Sequence, residues 1–329
     1  MSGYGVLLWP PLLAFALSLL ILLALLKTGL AVRLALDEPN KRSLHAVAVP
    51  RVGGVAIVSA ALVAWCLVPG AWAALGLLTA LLALISVLDD RHGLPVTLRL
   101  AAHLGAAGVC AFALLPQQPW LALLLLLYLA GMANCYNFMD GADGLAGGMT
   151  VFGFGAYGVA AVLAQDHSIA AMSLALCAAA AAFLLFNFAP ARVFMGDVGS
   201  IPLGFAAAAL GALGVVKALW PLWFPLLVFS PFCVDAGITL MRRLGHGERF
   251  WQAHRQHYYQ RLIRMGWSHA RTALCAYVLM LGVAVSAVWA LRLETAAQLG
   301  LLLAWGVIYA LLLWRIDARW QTAPPSLSA

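Results

Sequence analysis

Adjacent carboxylates stand at Asp89 and Asp90, two more lie three residues apart at Asp140 and Asp143, and another, Asp197, sits between Gly196 and Gly199. Acids grouped in this way hold a hard divalent cation or take up a proton. The second group lies within N-C-Y-N-F-M-D-G-A-D-G-L-A-G-G, residues 134–148, which adds two amides, Asn134 and Asn137. Asp140 and Asp143 share a face if that stretch forms a helical turn. Gly141, Gly144, Gly147 and Gly148 allow close backbone approach, and a glycine-flanked helix N-terminus suits an anion. Carboxylates for a cation beside amides for an anion is a combination that fits phosphate chemistry.

The elements that must position these groups are hydrocarbon. The chain has 329 residues, of which 64% are hydrophobic and 9% charged. That composition excludes an ordinary soluble domain and indicates a polytopic membrane protein. Long apolar runs without period-2 alternation specify helices rather than a barrel. Apolar windows fall at 6–30, 53–69, 71–88, 98–115, 119–135, 146–164, 168–187, 200–217, 219–240, 270–291 and 296–315. The expected fold is therefore all-α, with about 10–11 transmembrane helices in a single integral membrane domain spanning 1–329. The first window has no Lys or Arg before Lys27 and reads as an uncleaved span rather than a signal peptide.

Charge fixes the expected orientation. With eleven spans, one side carries loops 33–52, 89–97, 136–146, 188–199 and 241–269 and the C-terminus. That side holds all but Lys217 and Arg292 of the 19 basic residues. The positive-inside rule makes it cytoplasmic and the N-terminus periplasmic. The net charge of +7 then reports topology and anionic partners rather than nucleic acid. The six cysteines are widely spaced with no C-x-x-C, and read as small apolar residues.

Each cytoplasmic loop carries candidates. The first, with Lys41, His45 and Arg51, reads either as an anchor against anionic lipid headgroups or as a phosphate clamp. In the second, Asp89 and Asp90 bind Mg²⁺ or act as general base, unless one simply pairs with Arg91. In the third and fourth, Asp143 and Asp197 could instead N-cap the following helices. Arg192 is a further phosphate candidate, and Phe194 could stack on a base. The fifth contains W-Q-A-H-R-Q-H-Y-Y-Q-R, residues 251–261. Its His254 and His257 have an H-x-x-H spacing that could serve zinc, but soft ligands are lacking nearby. Cations converging on a diphosphate is the better reading of that loop, against a basic amphipathic surface helix. Asp235, ahead of the loop, is expected to pair with Arg242, and His103 reads as a core hydrogen-bonder.

The motifs D-D, N-F-M-D-G-x-D-G-L, F-N-x-x-P-x-x-x-F-M-G-D-x-G-S and H-R-Q-H, in order and on one membrane face, resemble the polyprenyl-phosphate N-acetylhexosamine-1-phosphate transferases. The resemblance implies that undecaprenyl phosphate attacks the β-phosphate of a UDP-N-acetylhexosamine or its deoxy derivative. The products would be undecaprenyl-diphosphate-sugar and UMP. It implies Mg²⁺ as cofactor, with Mn²⁺ as its substitute. Asp197 and Asp89 would be metal ligands, and Asp89, Asp90 and Asp197 the catalytic acids. Asn137, Asp140, Asp143, Asn187 and Phe194 would line the uridine-diphosphate pocket, with Lys41, His45, Arg51, Arg192, His254, Arg255 and His257 contacting substrate. The fifth-loop spelling resembles the branch that initiates O-antigen synthesis, and differs from the three-histidine run of the lipid I translocase, which is the alternative. The expected setting is the bacterial inner membrane among its lipids, with a homodimer allowed. A transporter would call for charges near the bilayer midplane and repeated halves, which the sequence lacks.

Overall fold

The computed structural model describes residues 3–37, 48–248 and 254–322. In chain order the elements are α1 (Gly3–Lys27), α2 (Leu30–Leu34), β1 (Leu36–Asp37), β2 (Val49–Pro50), α3 (Gly53–Trp65), α4 (Ala73–His92), α5 (Val96–Leu114), α6 (Pro119–Phe138), α7 (Leu145–Leu163), α8 (His167–Asn187), α9 (Asp197–Val216), α10 (Trp223–Val228), α11 (Ser230–Gly245), α12 (Tyr258–Arg264), α13 (His269–Ala290) and α14 (Thr295–Gln321). The strands form a two-residue antiparallel ribbon, with Leu36 opposite Pro50 and Asp37 opposite Val49. The fold is otherwise all-α, as the sequence predicts. Lys41 and His45 lie outside the described residues.

Among the described residues, nine helices are long and apolar enough to cross a membrane: α1, α4 to α9, α13 and α14. Two predicted spans differ. The window 53–69 gives a helix of only 13 residues, because the chain leaves α3 at Cys66 and turns through Val68–Ala71, with Gly70 at φ 70°. The window 219–240 is not one helix but two, α10 and α11, joined at Phe229. Pro231 stands in the first turn of α11, where its missing N–H is harmless, whereas in a continuous helix it would break the hydrogen-bond ladder.

The centre of the bundle is α9, the most enclosed of the long helices, with α7 and α8 beside it. Its interface with α6 and α4, and those of α8 with α1 and α7, carry much of the packing. Small side chains make these approaches close. Ala206, Ala207, Ala208 and Ala209 are all buried, and a Cβ on Gly204 would run into the backbone of Met132 and Ala133. On the side expected to be external, Lys217 Nζ meets Asp166 Oδ2 at 2.7 Å, and the Asp166 carboxylate also accepts from the Ile169 N–H to cap α8.

Candidate active site at the loop ends

The first and fourth loops are sewn together by backbone. Phe194 N–H donates to Pro50 O at 2.9 Å, Gly53 N–H to Phe194 O at 2.9 Å and Gly54 N–H to Met195 O at 2.8 Å. Gly54 and Gly199 cross so closely that a Cβ on Gly54 would fall on the Gly199 backbone. The seam sets Arg51 against Gly196, where a Cβ would lie 3.2 Å from that of Arg51. Gly196, at φ 71°, starts α9 and places Asp197 as its first residue. Asp197 is therefore not the side-chain cap; its charge sits where the helix dipole favours an anion.

Arg51 faces the acids. Its charge is felt by Asp90, Asp140 and Asp197, while its Nε stands 3.6 Å from Asp37 Oδ1. Asp140 accepts from the Gly196 N–H. Burial, followed by the negative charge of Asp197, holds the Asp140 carboxyl well above the ordinary carboxylate range. Asp89 and Asp197 lie within each other's field, as do Asp90 and Asp197. Thus the fold brings Asp89, Asp90, Asp140 and Asp197 to one place, from three loops. Asp89 is tied down within it: Oδ1 accepts from the Leu94 N–H at 2.8 Å and Oδ2 from Arg99 Nη1 at 2.8 Å. The ion pair is thus with Arg99 rather than Arg91.

Asp143 and Asn187, expected in the nucleotide pocket, turn polar atoms inward and fasten the third loop to the fourth. Asp143 Oδ2 accepts from the Ala191 N–H at 3.0 Å, and Oδ1 lies 3.2 Å from His269 Nδ1. Asp143 is not an N-cap; that position in α7 belongs to Gly144, at φ 77°. Asn187 Oδ1 accepts from the Gly144 N–H at 3.0 Å, and its Nδ2 donates to Val193 O at 2.9 Å. Asn137 Oδ1 accepts from Ser200 Oγ at 2.8 Å, which joins the third loop to α9. Arg192 is exposed and folds back over the Phe186 ring, 5.0 Å from its centroid. Phe194 is half-buried.

The fifth loop reaches the site through α12. Asp235 does not pair with Arg242. Its carboxylate takes the Tyr258 and Tyr259 N–H groups at 2.9 and 3.0 Å and the His257 Nδ1 at 3.2 Å. A carboxylate at a helix start gains from both the orphan donors and the dipole, which a surface arginine cannot match. Arg242 instead forms a two-point bond with Asp317. Tyr259 Oη donates to Phe138 O at 3.0 Å, and the His257 ring stacks 5.9 Å from that of Phe138. His254 lies 4.8 Å from His257, ring to ring, and half-buried Arg255 accepts at its carbonyl from Arg264 Nη1 at 3.4 Å. So His257 joins the third loop, and His254 lies behind it against the His257 ring.

Sequence reasoning missed Asp37, Arg99, Ser200, His269 and Asp317 as partners of the site residues. Only Asp317 left a clear signal, as the lone acid of the last apolar helix.

The acid cluster fits Mg²⁺ by its donors. It offers oxygen ligands only, within the field of one guanidinium, and among the described residues no group of three or more His, Cys, Asp or Glu side chains is placed to hold a metal ion by itself. Mg²⁺ ordinarily takes one or two carboxylates and completes its shell with water and phosphate oxygens.

Residues 72–215, from the start of α4 through α9, match glycosyl transferase family 4. A probable undecaprenyl-phosphate N-acetylglucosaminyl 1-phosphate transferase of Bacillus subtilis (strain 168) is 29% identical over 299 residues, 84% of this chain and 83% of the relative. A decaprenyl-phosphate N-acetylglucosaminephosphotransferase of Mycobacterium tuberculosis (strain ATCC 25618 / H37Rv) is 29% identical over 326 residues, 83% of this chain and 81% of the relative. A phospho-N-acetylmuramoyl-pentapeptide-transferase of Levilactobacillus brevis is 33% identical over 173 residues, 52% of this chain and 51% of the relative. The matched segment contains the second, third and fourth loops, whose acids converge here, and over that segment the chain is similar to glycosyl transferase family 4.

Proposed function

We propose that the protein transfers a sugar 1-phosphate of the N-acetylhexosamine type from a UDP-sugar to undecaprenyl phosphate, at the cytoplasmic face of a bacterial inner membrane, and so starts an O-antigen or related envelope polysaccharide. The observation that carries this reading is the convergence of Asp90, Asp140 and Asp197 around Arg51, with Asp89 beside Asp197, at the loop ends of a membrane bundle. A water-soluble nucleotide-sugar and a membrane lipid phosphate meet only at such a boundary.

In the reaction, an oxygen of the lipid phosphate forms a bond to the β-phosphorus of the donor. The bond from that phosphorus to the bridging oxygen breaks, and UMP leaves with that electron pair. Little covalent work falls to the protein, so its part is alignment and neutralisation of charge. Asp90, exposed and without the ties that hold Asp89, takes a proton from the lipid phosphate when that phosphate arrives monoprotonated. Asp197, with Asp89 or Asp90, would hold Mg²⁺, which supplies positive charge to the phosphoryl oxygens. Asn137 and Asp140 orient the uridine diphosphate, and Arg51 meets a phosphate.

The test uses purified protein, polyprenyl phosphate and a panel of UDP-sugars labelled in the sugar, with UDP-N-acetylmuramoyl-pentapeptide included. Organic-soluble label with stoichiometric UMP is expected from a UDP-N-acetylhexosamine or a deoxy derivative. Label only from the muramoyl-peptide donor would assign the lipid I reaction instead. No organic-soluble product from any donor would reject the proposal.

A further inference from the structure

Tyr309 is the only buried residue of α14, the least enclosed of the long helices. Yet the far end of α14 carries its single acid, Asp317, and that acid is the hub of a dense polar cluster. Arg242 donates to it twice, Nη1 to Oδ1 at 2.7 Å and Nη2 to Oδ2 at 2.7 Å. Arg261 Nη1 adds a third bond at 2.8 Å and Tyr258 Oη a fourth at 3.2 Å. The guanidinium of Arg261 also lies 4.8 Å from the centroid of the Tyr258 ring and 5.7 Å from that of Trp320.

Tyr258 and Arg261 both belong to α12, a helix of only 7 residues. A helix this short does not hold itself together in water, so its position comes from its contacts. Asp235 fixes its first turn, as described above, and Asp317 fixes its side. The opposite side of α12 meets the third loop. Tyr259 Oη donates to Phe138 O and lies where a Cβ on Gly141 would fall, and the His257 ring stacks on Phe138. Phe138 and Gly141 bracket Asp140. A continuous set of contacts therefore runs from Asp317 through Arg261 and Tyr258 to Tyr259 and His257, and on to the wall of the site. Charge gives the acid a second task. Arg242 and Arg261 both lie against it, and Arg255 and Arg264 stand close enough to Arg261 or to each other to repel. Without the carboxylate, Arg242 and Arg261 lose the charge that neutralises both.

We propose that Asp317 is a positioning residue for the nucleotide-sugar side of the site: it acts through α12 to fix the backbone at Phe138–Gly141 and the ring of His257. The inference rests on reading that site as the donor cleft, and it adds a helix outside the family match to the working parts of the enzyme.

The test reads amide hydrogen exchange in the full chain reconstituted in nanodiscs, without substrate, over residues 137–143 and 258–264. Asp317→Asn should speed exchange in both segments, and Asp317→Glu, which keeps both acceptor oxygens and the charge, should restore protection. Tyr309→Phe is the control, because it removes the 2.6 Å bond to Ser230 that anchors α14 elsewhere. It should leave both segments protected. If Asp317→Asn does not fold, Arg261→Gln, which spares the Arg242–Asp317 bond, takes its place. In the labelled-donor assay, Asp317→Asn should lower kcat/KM for the UDP-sugar by about ten-fold or more, mainly through KM, with KM for the lipid phosphate unchanged. Unchanged exchange in Asp317→Asn, or equal loosening by Tyr309→Phe, overturns the proposal. Because exchange is read without turnover, a wild-type protein inactive on every donor rejects the transferase reading and leaves the positioning result to stand by itself.

Discussion

Asp89 and Arg99 bind each other at 2.8 Å across the turn from α4 to α5, while Asp90, the next residue, makes no hydrogen bond among the described residues. The two neighbouring acids are therefore different in kind. Asp89 also accepts from the Leu94 N–H, so it closes the turn that begins α5. Asp89→Asn should lower stability by about 1 kcal/mol, a modest figure because the pair is partly open to solvent. Asp90→Asn should leave the melting temperature unchanged or raise it, since it removes a charge near Asp197, and it should abolish UMP release. Melting curves and UMP assays on both variants decide this; full turnover in Asp90→Asn would remove it from the mechanism.

The acids around Arg51 are held together against their own repulsion. The Asp140 carboxyl is pushed up by burial and then by the charge of Asp197. A raised carboxyl pKa adds stability below the ordinary carboxylate range, and that stability is lost as pH rises through the folded-state value. Metal-free protein should therefore melt lower at about pH 8 than at about pH 5, and Asp140→Asn should flatten the difference. Mg²⁺ should raise the melting temperature at the higher pH, by linkage to the folded state. Asp197→Asn should melt higher than wild type without metal and respond little to Mg²⁺. A wild-type-like Mg²⁺ shift in Asp197→Asn would place the ion elsewhere.

Most of the fold, and the location of the site, were legible in the sequence, because both follow from local rules. Apolar length specifies spans, and Lys/Arg asymmetry predicts a shared side. Where the structure differs, the cause is common: a distant backbone group is a better partner for a polar atom than its nearest charged neighbour in sequence. Spacing along the chain points Asp235 to Arg242, but α12 offers it two N–H groups 23 and 24 residues on. The window 219–240 has the hydropathy of a span, and only its prolines, Pro221, Pro225 and Pro231, hint at the break. Asp317 could be noticed as an isolated acid, but nothing local identifies Arg242 and Arg261, 75 and 56 residues back, as its partners.

Asn187 gives the sharpest contrast between holding a ligand and holding a loop. Both ends of its side-chain amide are used, on the Gly144 N–H and on Val193 O, and the residue is 4% exposed. Asn187→Ala leaves a buried donor and a buried acceptor unpaired, which should cost about 2–3 kcal/mol of stability. Asn187→Asp keeps the acceptor but loses the donor and should fall between alanine and wild type. Denaturant midpoints in a fixed detergent measure the order. Equal midpoints for Ala and wild type would show that Asn187 does not hold the loops together.

The seam between the first and fourth loops rests on two glycines, Gly54 of α3 and Gly199 of α9. A methyl group on Gly54 would meet the backbone nitrogen and Cα of Gly199 and the carbonyl carbon of Val198, none of which can rotate away. Relief requires α3 and α9 to part, and the first residues to move are those that place Asp197 and Arg51. Gly54→Ala should therefore destabilise the protein by about 1–3 kcal/mol, the range for overpacking a close contact. It should also weaken the Mg²⁺-dependent rise in melting temperature. Gly131→Ala is the matched control: it lies in a helix on an exposed face, where an added methyl group meets nothing within 4 Å. It should be neutral or slightly stabilising, as expected for alanine over glycine in a helix. The comparison needs melting curves for both variants with and without Mg²⁺. If Gly54→Ala matches Gly131→Ala in stability and in its Mg²⁺ response, the seam does not hold the acids in place.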